Sequence, residues 1–221
     1  MNKAGDSRTY GQFCSMARAL DLVGDRWTLL IVRELLTQGS CRYSDLRSGL
    51  PGIATNLLAS RLREMESNGL VARHKLPAPV SATVIELTSR GRDLTGVVLE
   101  LTRWGAPEMR RYSGSEEFRA HWLMIPARHF LTDHMPDRDD QTIRIGMPPD
   151  ALDVVAQSGA ITIGIADPRN IPQAAINGPP PVLVGVVTGG LSLEAGQRVG
   201  LSLNGDEVAA RRVLPVVNVE V

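Results

Sequence analysis

The chain has 221 residues, 43% hydrophobic and 22% charged, room for one large domain or two small ones of an ordinary globular protein. Its 24 Lys and Arg balance 24 Asp and Glu, a zero net charge that by itself argues neither for nor against a nucleic-acid partner. The balance is uneven along the chain: residues 1–112 carry 16 basic against 11 acidic side chains, and residues 113–221 carry 8 against 13, so only the first half suits a polyanion.

Residues 1–13 form a polar N-terminal tail that lacks the apolar stretch of a signal peptide. Helical spacing of Met16, Ala17, Leu20 and Val23 predicts a first helix over 14–23, ended by Gly24. A second helix is expected over 26–37, burying Leu29, Leu30, Val32, Leu35 and Leu36 and closing at Gln38-Gly39. A short segment at 40–42, a brief helix at 43–48 and a turn at 50–52 follow.

The third amphipathic helix, 55–68, turns Leu58, Leu62 and Met65 to one side and Asn56, Ser60, Arg63 and Ser67 to the other. Hydroxyls, an amide and an arginine can bond base edges and phosphates in a major groove. Two strands, 70–76 and 83–87, joined by a Pro-containing loop at 77–81, read as a hairpin wing. Thr88 then caps a helix running to about Trp104, with Leu94, Val97, Val98, Leu101 and Trp104 apolar.

Several strings resemble the HxlR family of winged-helix transcriptional regulators: CSMARALDLVGDRWTLLIVRELL over 14–36, RYSDLR over 42–47, LPGIATNLLASRLREMESNGLV over 50–71, ELTSRGRDL over 86–94, and Trp104-Gly105. The resemblance implies a bacterial-type regulator that binds double-stranded DNA. It also implies a homodimer built through the N-terminal helix and the helix after the wing, acting on an inverted-repeat operator. Two recognition helices related by a two-fold axis enter successive major grooves about one helical turn apart. Leu99, Leu101 and Trp104 are candidates for the dimer seam, with packing inside their own domain as the other reading.

Thr55, Asn56, Ser60 and Arg63 are the candidates for base contacts, and Arg42, Arg47 and Arg61 for phosphates. The wing departs from the family pattern, with Val80, Ser81 and Ala82 where proline and arginine are usual and Ile85 where tyrosine is common. That leaves Arg73, His74 and Lys75 as its basic candidates. Cys14 stands where several members of the family sense electrophiles or oxidants, at a helix start that favours a thiolate, although Ser15 replaces the usual proline. A structural role for Cys14 is the alternative, and Cys41 has less to recommend it.

In the second half, 116–134 reads as a helix kinked by Pro126. TIRIGM over 142–147 and AITIGIA over 160–166 alternate as strands. A strand at 174–177, an apolar helix over 180–189, a strand at 199–203 and a short helix over 206–214 complete an α+β unit over 113–221. Its closing order resembles the sterol-carrier-protein type of lipid-binding domain, which implies a hydrophobic small-molecule effector coupled to DNA affinity.

His121, His129 and His134 are too widely spaced to share a metal, and two cysteines make neither a zinc site nor a disulfide scaffold. No phosphate-binding, nucleophile-elbow or metalloprotease motif occurs, so neither cofactor nor catalytic site is expected. The most apolar stretch, 182–191, is broken by Gly185, Thr188, Gly189 and Gly190 and falls short of the roughly 20 residues a bilayer requires. The expected protein is thus an α+β cytoplasmic repressor, a winged helix over 14–112 followed by an effector domain. The competing reading is a lipid-binding or lipid-transfer protein that uses the winged helix only to dimerise.

Overall fold

The computed structural model describes residues 9–77, 79, 81–111 and 113–217. Val80 of the expected wing loop, Tyr112 and residues 1–8 of the expected tail lie outside the described residues. The fold class is α+β, and the chain divides between Val98 and Leu99 into two compact units.

The first unit begins with α1 (Ser15–Val23) and α2 (Thr28–Gln38), then β1 (Cys41–Arg42), α3 (Tyr43–Ser48) and α4 (Thr55–Ser67). The wing follows as β2 (Val71–Lys75) and β3 (Thr83–Leu87), with β3 central in a three-stranded antiparallel sheet of order β1-β3-β2. Cys41 lies opposite Ile85 on one side of β3, and Arg73 opposite Ile85 on the other. The predicted stripe of α4 is buried as expected: Leu58, Leu62 and Met65 are each at most 1% exposed, packed in a core with Ile31, Val32, Leu35, Leu46 and Val84.

Two parts of this unit differ from expectation. Leu30 of α2 is exposed while Ile31 and Glu34 are fully buried, and Met16 of α1 faces solvent. The helix after the wing is broken by a turn at Asp93-Leu94 into α5 (Ser89–Arg92) and α6 (Thr95–Gly105), the latter running past the end of this unit at Val98. Thr88 does cap α5, its hydroxyl accepting the Gly91 N–H at 3.1 Å and donating to the Gly69 carbonyl at 2.6 Å. A side chain at Gly91 would meet the Leu70 carbonyl oxygen at 2.0 Å, so only glycine lets α5 press this close to the wing. The segment before α1 is also tied down: the Thr9 hydroxyl and the Tyr10 N–H both donate to the Asp21 carboxylate, at 3.0 and 2.9 Å.

The second unit contains a mixed sheet of β4 (Gln141–Met147), β5 (Asp150–Gln157), β6 (Ala160–Ile165), β7 (Ala174–Asn177) and β8 (Ser202–Gly205), in the order β6-β5-β4-β7-β8. Only β4 and β7 are parallel, with Ile143 opposite Ala174. Against one face pack α7 (Met124–Phe130), α8 (Pro180–Val187), α9 (Leu193–Arg198) and α10 (Glu207–Val213). The core joins Ile143, Ile145, Leu152, Val154 and Ile176 of the sheet to the almost wholly apolar α8, as expected of a helix hydrophobic all round.

Four elements here depart from the sequence reading. Strand β5 was not expected, because Asp153 interrupts its apolar run; in the sheet Asp153 is buried opposite Arg144, which holds it with bonds of 2.7 and 2.9 Å. The long helix over 116–134 is instead a 3-10 turn at Ala120–Leu123 followed by the seven-residue α7, with Pro126 in its first turn, where its missing N–H costs nothing. Leu193–Arg198 form α9, capped by Ser192, a helix the sequence pattern did not predict. The strand expected over 199–203 starts at Ser202, because the N–H groups of Val199 and Leu201 both return to the Gly196 carbonyl and wrap the chain around the end of α9.

Candidate nucleic-acid interface

The helix-turn-helix is α3, the turn at 49–54, and α4. Its base is a buried charge cluster. Glu34 of α2 accepts from Arg33 Nε at 3.1 Å and Nη2 at 2.7 Å and from the Gln38 amide at 2.6 Å, with its side chain fully enclosed. The carboxylate occupies space left by Gly49, where a Cβ would lie 2.1 Å from Glu34 Oε2. The turn can therefore approach α2 only through a residue without a side chain.

Two side chains of α3 reach the start of α4. The Tyr43 hydroxyl donates to the Thr55 carbonyl at 2.8 Å, and Arg47 Nη1 lies 3.4 Å from the Thr55 hydroxyl. Ala54 at the N-cap offers no side-chain acceptor, and within the first turn of α4 the Asn56 Oδ1 accepts the Leu57 N–H at 2.9 Å. Such a helix start is suited to a phosphate oxygen. The link from Tyr43 to Thr55 was missed in the sequence, since no periodicity relates residues twelve apart in different helices.

Thr55, Asn56 and Arg63 are exposed on α4, and Ser60 is half-buried. The outer face is less neutral than the sequence pattern suggested. Glu64 and Glu66 are exposed toward its C-terminal end, and the Ser60 hydroxyl lies 3.4 Å from Glu64. Arg61 departs most from the sequence reading: its side chain is only 14% exposed and is ion-paired with Asp25 and Glu64, fastening α4 to the segment before α2.

On the wing, Arg73 pairs with Glu66 at 3.2 Å and His74 with Glu86 at 3.0 Å. Lys75, Arg63, Arg42 and Arg47 have no carboxylate within ion-pair distance among the described residues, and all four are exposed. On α6, Val97, Leu101 and Trp104 are 44%, 48% and 81% exposed at helical spacing, a single apolar stripe, whereas Leu99 is half-buried.

The two thiols differ. Cys14 is exposed at the N-cap of α1, its carbonyl receiving the Arg18 N–H at 3.0 Å. Cys41 is buried, and burial, reinforced by Asp45 and Glu34, pushes its thiol up to about 11.

The histidines stand apart. His134 Nε2 lies 3.1 Å from the Leu214 carbonyl, His129 meets the Phe130 ring edge-on, and His121 lies 3.7 Å from Asp150. No helix among the described residues is long and apolar enough to cross a membrane.

A recognition helix set on a buried base and followed at once by a hairpin defines a winged helix-turn-helix DNA-binding protein. Residues 22–113 match the model of the HxlR-like helix-turn-helix family. The chain is 31% identical over 103 residues to the uncharacterized HTH-type transcriptional regulator sll1512 of Synechocystis sp., covering 47% of this chain and 76% of the relative. It is 35% identical over 89 residues to the HTH-type transcriptional regulator YodB of Bacillus subtilis, covering 40% of this chain and 79% of the relative. The solved structure of reduced YodB from B. subtilis aligns with a TM-score of 0.39 at 29% identity, over 48% of this chain and 100% of that one. The chain belongs to the HxlR-like family: it is an HTH-type, DNA-binding transcriptional regulator and not an enzyme.

Proposed function

We propose that this regulator is a repressor that binds an inverted-repeat operator as a homodimer. Thr55, Asn56, Ser60 and Arg63 read base edges, and Arg42, Arg47 and Lys75 hold phosphates, with Arg73 and His74 as weaker wing contacts because each already has an acidic partner. Arg61, engaged with Asp25 and Glu64, is left out of this set. The observation that carries the reading is the division of α4 into a stripe of Leu58, Leu62 and Met65 at most 1% exposed and an opposite face that presents Asn56 and Arg63, with Thr55 exposed at the helix start. The apolar stripe of Leu101 and Trp104 on α6 supports the dimer seam.

A gel shift on the DNA upstream of the chain's own gene tests the reading. A specific complex at moderate salt that Arg63→Ala weakens is the expected result. Absence of any specific complex would favour the lipid-binding alternative, in which the winged helix only dimerises.

A second reading concerns residues 113–221, proposed as an effector domain for a hydrophobic small molecule. It is supported by a groove of about 390 Å³ lined by Val186, Leu191, Leu193 and Leu214 together with His134, Ser192, Glu194 and Arg211. Mass spectrometry of apolar material that co-purifies with the full chain checks it. The exposed Cys14, in contrast to the enclosed Cys41, supports a sensing role for the first thiol.

A further inference from the structure

The five-stranded sheet has two edges of different character. At one edge β8 is four residues long and polar, with Ser202 and Asn204 exposed. At the other, β6 (AITIGI) has six residues, no charge and no proline. Edges of native sheets are normally blunted by those very features.

The register shows which backbone groups this edge presents. Strands β5 and β6 are joined through Ser158-Gly159, with φ of 48° and 86°, a two-residue hairpin turn closed by the pair Gln157–Ala160. Hydrogen-bonded pairs then recur at every second residue, so Ala160, Thr162 and Gly164 bond to β5. The next step of the same series is the Ala166 N–H donating to the Ala151 carbonyl at 2.9 Å. The N–H and C=O groups of Ile161, Ile163 and Ile165 therefore point away from β5. Among the described residues none of them has a hydrogen-bond partner.

From this we infer that β6 pairs antiparallel with β6 of a second copy of the chain, about a two-fold axis at Ile163. The outward groups are symmetric about the centre of the strand, so the pairing is self-complementary: Ile163 faces its own copy, and Ile161 faces Ile165 in both directions. That register leaves every outward group of the three residues bonded. It also keeps the isoleucine side chains of both copies on one face of the joined sheet, which a slip of one residue would not. No charge on β6 repels its copy, and Ile165, 56% exposed, gains cover from Ile161 across the axis. This contact is separate from the seam proposed on α6.

The register places Thr162 of one copy opposite Gly164 of the other in a non-hydrogen-bonded pair, the closer of the two kinds. Thr162 is exposed, and a Cβ at Gly164 meets nothing within 4 Å, so Thr162→Cys and Gly164→Cys are both sterically harmless. In a Cys14→Ser background, the two single variants of the full chain are oxidised alone and after co-expression with distinguishable tags. A disulfide-linked dimer that appears only on co-expression is the expected result. No cross-link above the level of either variant alone overturns the pairing. Amide exchange of the wild-type chain provides an independent readout. Ile161, Ile163 and Ile165 should be protected as well as Thr162 and Gly164, and rapid exchange at all three overturns the proposal. Protection without the cross-link means that something other than a second copy covers the edge, and overturns it as well.

Discussion

The Asp133 carboxylate meets the Arg212 guanidinium in a two-bond fork, Nε to Oδ1 at 2.8 Å and Nη2 to Oδ2 at 2.9 Å, with both side chains sealed from solvent. The carboxylate also accepts the Met135 and Gly159 N–H groups, each at 3.0 Å, and the guanidinium donates to the Asp139 carbonyl at 2.6 Å. One pair thus ties the segment after α7, the β5–β6 turn and α10 together. Removing one partner strands a buried charge, at a typical cost of about 3–5 kcal/mol. Asp133→Ala should therefore lower the urea midpoint of the chain markedly, and an unchanged midpoint would show that water reaches Arg212.

The same pair sets an acid limit. The hydrogen bonds from Arg212, helped by the Met135 and Gly159 N–H groups, hold the Asp133 carboxyl well below the usual carboxylate range despite burial. A depressed folded-state value adds stability that is complete above the unfolded value of about 3.9 and is lost as pH falls toward the folded one. Thermal melts of the wild type should drop steeply in that acid window. Those of Asp133→Ala should start lower and show a shallower acid dependence.

Gly49 and Glu34 make a second test. The far end of a glutamate can usually move aside, but this one is enclosed and held by Arg33 and Gln38. Gly49→Ala should therefore cost about 1–3 kcal/mol, as overpacking generally does. A melting temperature equal to wild type would mean that the carboxylate finds another position.

Tyr43→Phe removes the donor to the Thr55 carbonyl while preserving the ring. Water can replace this exposed bond in the unbound protein, so the melting temperature should change little. Operator affinity, followed by fluorescence anisotropy, should fall roughly three- to tenfold, the scale of one hydrogen bond. Unchanged affinity would show that the entry of α4 needs no anchor from α3.

Alkylation separates the thiols. With its thiol at about 11, Cys41 is almost entirely protonated at pH 8 as well as buried. Brief treatment with iodoacetamide at that pH should label Cys14 alone, as read by peptide mass mapping, and Cys41 should react only after unfolding.

Much of the first unit was legible because its signals are local. The Leu58, Leu62, Met65 stripe, the Thr88 cap and the glycine stop after Asn68 each act within a few residues. The second unit was harder, because its central strand β5 carries a charge that makes sense only opposite Arg144. Similarly, the helix pattern over 116–134 was overridden where Asp133 is drawn to Arg212.

The sequence by itself determined that a helix starts at Thr55, expected over 55–68 and found over Thr55–Ser67, which side of it is buried, and that a hairpin follows. Helix period and turn chemistry are properties of neighbouring residues, and they survive into the fold. Only the tertiary structure decided which arginines remain exposed without an acidic partner. Arg61 is held by Asp25, 36 residues away, and Arg73 by Glu66, while Arg63 and Lys75 remain open to solvent. Ion pairs form between surfaces that meet only on folding, so side chains identical in the sequence are divided into those that hold the protein together and those left open to solvent.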